Sequence, residues 1–303
     1  MTWLTWRQHR AALIGAAVFV VALGLLMITF WSSVQELNAA CGEHDCWIGV
    51  AGALGGQLGH IDSVLTYGPP VLAGLVAVFW GAPMLSREYE QRTYLVAWGQ
   101  DVSPERWLGS RAALLTGATL LLAVPLAAVS WLLVGAMRVS GVWGNVGPYQ
   151  TLELWPPIQV MHALFGLALG AAVGVLLRRT LLAMGTTLAL FVVVRLAIAT
   201  TVLRWLPAER MVMGIGDAAA LPSGAGQVSN GYLDAAGNPI TPSVVCGDQQ
   251  CLTEHGVQHS YVDYQPFDRL GALKWAEVIA YAVLTLGLAG LAWARVRRTT
   301  RVG

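Results

Sequence analysis

The four cysteines carry the most reactive side chains of this sequence, and they come as two copies of one spacing. The copies are Cys41-Gly-Glu-His-Asp-Cys46 and Cys246-Gly-Asp-Gln-Gln-Cys251. An even set of thiols in polar loops suits disulfide bonds where the compartment is oxidising, and four cysteines admit three pairings. A bridge between the two distant boxes would close a much longer loop than a local one, and so restrain the unfolded chain more. The rival chemistry is metal binding. His44, Asp45, His60, His255 and His259 lie near the sulfurs in sequence, and soft sulfur with imidazole suits zinc or copper. The spacing is not the Cys-x-x-Cys of a zinc site, so the expectation is disulfides at Cys41, Cys46, Cys246 and Cys251 and no metal.

A second set of chemically able residues lies in or beside apolar runs: Asp62, His162, Arg195 and Glu277. A charge at the centre of a membrane span costs about 2.5–3.5 kcal/mol on insertion scales, so such residues invite a functional question. They could line a substrate path. Alternatively Arg195 snorkels to the headgroups or pairs with Glu277 to hold helices together, and this second reading is the expectation. A third set forms a charged island between two apolar runs, with Arg87, Glu88, Glu90 and Arg92 followed by Asp101, Glu105, Arg106 and Arg111. Tyr94, Leu95, Val96 and Trp98 between them predict a short mixed helix with an apolar face. Ser103-Pro104 reads as the N-cap and first residue of the next helix. A charged segment between hydrophobic spans is a natural handle for a soluble partner.

Motifs for independent catalysis are missing. The sequence has no Gly-x-x-x-x-Gly-Lys-Ser/Thr phosphate loop, no His-Glu-x-x-His and no Gly-x-Ser-x-Gly, and its one lysine is Lys274. The expectation is a non-catalytic chain with no cofactor of its own.

The elements that must position these residues are membrane spans. The 303 residues are 56% hydrophobic and 12% charged, about half the charge of a soluble domain. A net charge of +1 gives no case for nucleic acid. Six apolar runs are long enough for the roughly 20 helical residues that cross a bilayer, at about 11–31, 64–84, 109–136, 158–177, 180–203 and 273–294. Membrane-barrel strands would alternate apolar and polar residues instead. Pro125 is a potential kink in the third span, and Pro156-Pro157 opens the fourth.

Basic residues set the orientation. With the N-terminus inside, the inner side holds twelve: Arg7, Arg10, Arg87, Arg92, Arg106, Arg111, Arg178, Arg179, Arg295, Arg297, Arg298 and Arg301. The outer side holds five, Arg138, Arg204, Arg210, Arg269 and Lys274. Both termini are therefore expected in the cytoplasm and all four cysteines outside. The fold class expected is an all-α membrane protein of six transmembrane helices, its outer loops joined by disulfides. The loop 204–271 is either a small stapled cap or a loosely ordered connection. Turn-rich pieces at 221–226 and 234–239 separate β-prone ones at 242–245 and 259–264.

The run Gly81-Ala-Pro-Met-Leu-Ser-Arg-Glu-Tyr-Glu-Gln-Arg-Thr93, followed by Trp98-Gly-Gln-Asp-Val-Ser-Pro-Glu-Arg-Trp107, resembles the end of the second span and first cytoplasmic loop of ABC-2 type transporter permeases, and is closest to actinobacterial ones. Arg92 stands where that family has glycine. Met1–Arg10 resembles the family's N-terminal interfacial helix, Arg195 has counterparts in its fifth span, and 251–269 is similar to the end of its last outer loop.

The resemblance implies the permease subunit of an ABC exporter in a bacterial plasma membrane, embedded in lipid and working with a second permease copy. ATP would be used by a separate ATPase subunit. The segment 86–108 would then be the coupling element, with Arg87, Glu88, Glu90, Arg92, Thr93 and Trp98 as its contact residues and Arg178-Arg179 as a second contact. The competing functions are a secondary transporter or channel acting alone, and a membrane anchor or sensor without transport.

Overall fold

The computed structural model describes residues 2–41, 47–92, 103–139, 152–215, 217, 221–222, 225–242 and 249–299. In chain order the elements are α1 (Thr2–Cys41), α2 (Trp47–Leu54), α3 (Gln57–Val76), a π-helical turn (Ala77–Gly81), α4 (Ala82–Glu90), α5 (Pro104–Val139), α6 (Pro156–Leu177) and α7 (Thr180–Thr201). A 3-10 turn (Val202–Arg204) leads to β1 (Glu209–Gly214), β2 (Gly226–Leu233), β3 (Pro239–Ile240), α8 (Gln249–Glu254), β4 (His259–Gln265) and α9 (Phe267–Thr299). They divide into two compact units. One comprises Met1–Trp143, Glu153–Ala197 and Glu277–Gly303; the other comprises Gly144–Leu152 and Ile198–Ala276.

Six helical stretches among the described residues are long and apolar enough to cross a membrane: Arg10–Ala40, Gln57–Glu90, Glu105–Val139, Pro156–Leu177, Thr180–Arg204 and Phe267–Arg298. Each contains one of the six expected spans. Without water to satisfy backbone groups, a spanning segment must close its hydrogen bonds internally, which drives these apolar runs into helices. Pro125 lies inside α5 without ending it, and Pro156 starts α6 as expected.

In the first unit α1 lies along α5, while α3, the π turn and α4 lie along α6. The second contact is backbone against backbone. Gly166, Gly170 and Gly174 recur every four residues on α6, facing Ala73, Ala77 and Ala82. A Cβ on Gly170 would stand 2.4 Å from the carbonyl oxygen of Ala77 and 2.5 Å from the nitrogen of Ala82. Gly81 returns the favour, since its Cβ would meet the Leu167 carbonyl at 2.6 Å. In lipid, where burial of apolar surface gives no drive between helices, such close approach of small residues supplies van der Waals contact. The turn widens to π just ahead of Pro83, which has no N–H to give and whose ring would crowd the carbonyl four residues earlier.

The second unit corrects the all-α expectation. Residues 209–265 contain a four-stranded antiparallel sheet in the order β1-β4-β2-β3. β4, expected from His259–Tyr264, is central, with Met211 opposite Val262 on one side and Gly231 opposite Tyr261 on the other. The β-prone reading of 242–245 fails at Pro242, which lies outside any strand, and 243–248 falls outside the described residues. The strand falls earlier, at Pro239–Ile240, where a proline is tolerated as the first residue of an edge strand. The expected turn at 234–239 closes the β2–β3 hairpin. Asp234 Oδ1 accepts from the backbone of Ala236 and Asn238, and Gly237 takes φ +79. A small apolar core of Leu152, Val202, Leu270 and Leu273 completes this unit.

Residues 2–10 are continuous with the first span in the single helix α1. No proline or glycine separates them from the apolar run.

Candidate functional site

Two constellations in the first unit are candidates. The first is a ledge where α4 ends beside the α6–α7 connector. Arg178 adopts φ +55 and caps α6, its N–H donating to the Gly174 carbonyl; this left-handed turn ends the helix. The connector then turns into α7, whose first amide, on Thr180, donates to Glu90 Oε2 at 2.9 Å. A carboxylate at a helix N-terminus satisfies an orphan N–H and complements the helix dipole. The Arg178 guanidinium lies 5.1 Å from the centre of the Tyr89 ring. Two connectors that are ninety residues apart in sequence are thus tied together.

Under the ledge Glu88 points inward. Its Oε1 accepts from Arg111 Nη1 at 2.9 Å, with both side chains about 5% exposed. Arg111 also stands over the Trp107 ring at 4.6 Å. Ser103 caps α5 as expected, its hydroxyl accepting from the Arg106 amide at 3.3 Å. Arg87, Glu90, Arg92, Arg106, Arg178 and Arg179 are exposed. Of the predicted contact residues, then, Arg87, Glu90 and Arg92 face outward, Glu88 is buried, and Thr93 and Trp98 lie outside the described residues. Arg92 takes φ +54, the conformation its glycine counterpart would favour, so the turn survives the replacement at a strain of about 1–2 kcal/mol.

The second constellation is a buried polar cluster. His162 on α6, Arg195 on α7 and Glu277 with Tyr281 on α9 converge with Glu153, which precedes α6. Arg195 donates to Glu153 Oε2 at 2.6 Å and touches both ring nitrogens of His162, with Nδ1 at 2.8 Å. A guanidinium has no acceptor, so the imidazole accepts through an unprotonated nitrogen. The expected partner of Arg195 was Glu277. The structure instead gives the salt bridge to Glu153, while Glu277 lies 3.8 Å from His162 Nε2. Arg195 is about 9% exposed, paired inside the protein rather than snorkelling. Asp62 stands exposed on α3 and does not join the cluster. Of the cysteines, Cys41 ends α1 and Cys251 lies on α8 with Sγ 3.8 Å from His255 Nδ1. Cys46 and Cys246 lie outside the described residues.

A family model described as ABC-2 membrane transporter related matches residues 10–204. That is most of the chain. The protein belongs to this family. It is a multi-pass membrane protein and a membrane component of an ABC transporter, in a family whose members generally work with an ABC ATPase. Neither the curated proteins nor the solved structures contain a match. Both constellations lie mainly within the matched stretch of this permease, apart from Glu277 and Tyr281, whereas β1–β4 lie beyond it.

Sequence reading missed Glu153, Arg111 as the partner of Glu88, and Thr180 as the partner of Glu90. Glu153 did carry a signal, an acid three residues before the Pro156-Pro157 helix start. The other two pairings join residues 23 and 90 apart, which no local pattern reports.

Proposed function

We propose that this permease is the membrane-spanning subunit of an ATP-driven ABC exporter in a bacterial plasma membrane. It forms the substrate pathway together with a second permease copy and docks a separate ATPase through the ledge. Its termini and the 86–108 segment face the cytoplasm, the sheet and the cysteines face outside, and the four cysteines pair as disulfides. The chain performs no catalysis and holds no cofactor; ATP is used by its partner.

The observation that supports this reading is the tie between Glu90 and the Thr180 amide. Transmission of a partner's motion requires an element that several spans share, since coupling needs a body whose states both sites bias. The ledge gathers the ends of α4 and α6 and the start of α7, so force applied at one point reaches three spans. The exposed guanidinium groups of Arg87, Arg92, Arg178 and Arg179 give it a basic outer face suited to acidic groups on a docking protein.

The test is affinity purification of the tagged chain from native membranes in mild detergent. The expected result is a stoichiometric ATPase subunit, lost with Arg87→Glu/Arg92→Glu. Glu90→Gln keeps the partner bound but uncouples ATP hydrolysis from transport. A chain that purifies alone and moves solute in liposomes without ATP would overturn the exporter reading in favour of a secondary carrier.

A further inference from the structure

We propose that Glu153, His162 and Glu277 form a binding site for a borderline divalent metal ion of the zinc, cobalt or manganese class. Each offers one ligand atom, and these atoms lie within 4.8 Å of one another, all three residues being buried. Two independent features suit the cluster to a cation. Glu277 is 0% exposed and neither of its carboxylate oxygens has a hydrogen-bond partner. Glu153 uses Oε2 on Arg195, leaving Oε1 buried and unpartnered. Three buried carboxylate oxygens of this cluster thus lack donors, in a place where an unpaired polar group carries a heavy desolvation penalty. The cluster holds two carboxyl groups and one guanidinium, and that guanidinium bridges Glu153, so there is room for further positive charge beside Glu277.

The donor set selects the ion class. Imidazole with carboxylates suits zinc, cobalt and manganese, whereas calcium and magnesium take oxygen alone. Ligand atoms on a tetrahedral zinc at 2.0–2.2 Å are roughly 3.4 Å apart. Glu277 Oε1 lies 3.8 Å from His162 Nε2, while Glu153 approaches the other ring nitrogen, Nδ1, at 3.8 Å through the oxygen that Arg195 holds. Binding at one nitrogen therefore requires one of the two carboxylates to swing toward it. Arg195 plays two parts here. Its bond to Glu153 Oε2 orients that carboxylate in the way outer-shell partners orient metal ligands. Its contact with the His162 ring makes it a tethered competitor, because a metal must take one ring nitrogen from it. The site stands whether or not an ATPase docks on the ledge.

The test is titration of the purified full chain, carrying a tag without histidine, with Co2+ read by visible absorption and displaced by Zn2+. One ion per chain is expected. Glu277→Gln and His162→Gln should lower the affinity by about 10–100-fold or more. Arg195→Gln, which releases both ring nitrogens, should raise it. A chain with all four cysteines replaced by serine should still bind, which separates this site from the outer cysteines. Glu277→Gln removes an unpartnered buried carboxylate, so its melting temperature should hold or rise and the comparison is free of misfolding. The proposal is overturned if the wild-type and Arg195→Gln chains take up no more Co2+ than Glu277→Gln, or if uptake is lost in the cysteine-free chain.

Discussion

The backbone contact of α6 with α3, the π turn and α4 gives a sharp test in Gly170→Ala. A Cβ there would lie 2.4 Å from the Ala77 carbonyl oxygen, 1.0 Å inside the 3.4 Å at which ordinary contact begins. The second neighbour, the Ala82 nitrogen, is at 2.5 Å. Both are backbone atoms, so no side chain can swing aside; the helices must separate by about the missing 1.0 Å. That separation weakens every contact along the seam, and forced overpacking of this kind costs roughly 1–3 kcal/mol. The control has the opposite sign. Gly185 on α7 and Gly287 on α9 have nothing within 4 Å of a built Cβ. Alanine there should stabilise by roughly 0.5–1 kcal/mol, because glycine loses more backbone freedom in a helix. Equilibrium unfolding in mixed micelles, followed by tryptophan fluorescence, measures all three. If Gly170→Ala proves as stable as Gly185→Ala, the seam is not closed at backbone distance and the argument fails.

Glu88→Gln should destabilise the chain by about 3–5 kcal/mol, since it leaves Arg111 buried without its charge partner. A Glu88→Gln/Arg111→Met double variant should recover much of that loss, and additivity in a double-mutant cycle would refute the pairing. At the sheet, Arg210 grips Asp263 with two bonds of 2.7 and 3.0 Å while Ser229 donates to it at 2.8 Å. The bonds from Arg210 hold the Asp263 carboxyl below its ordinary range, against a smaller opposing effect of burial. Its contribution is therefore present above the unfolded value near 4 and is lost as acid titrates the folded group below that. Limited proteolysis of 204–271 should accelerate in the wild type between neutral pH and about pH 3. Asp263→Asn should already be susceptible at neutral pH, with a flatter response to acid; identical profiles would sink the idea.

Much of the membrane architecture was legible in one dimension. Hydrophobic runs are local, and a bilayer imposes one solution on them, so six spans, the Ser103 cap and the Pro156 start could be read directly from residue order. The Asp234–Pro239 turn was legible for the same reason, since side chain and backbone within five residues set it. The sequence by itself also determined the family, through the run from Gly81 to Trp107, and the absence of nucleotide-binding motifs. Tertiary structure alone decided which charges are exposed and which are buried scaffold. Glu88 and Glu90 look equivalent two residues apart, but helical geometry turns one inward to Arg111 and the other outward to the start of α7. In the same way Arg195 found Glu153 rather than Glu277, because partner choice follows how α6, α7 and α9 converge. Pairing across 23, 42 or 90 residues depends on how helices pack, and no periodicity in the chain encodes that distance.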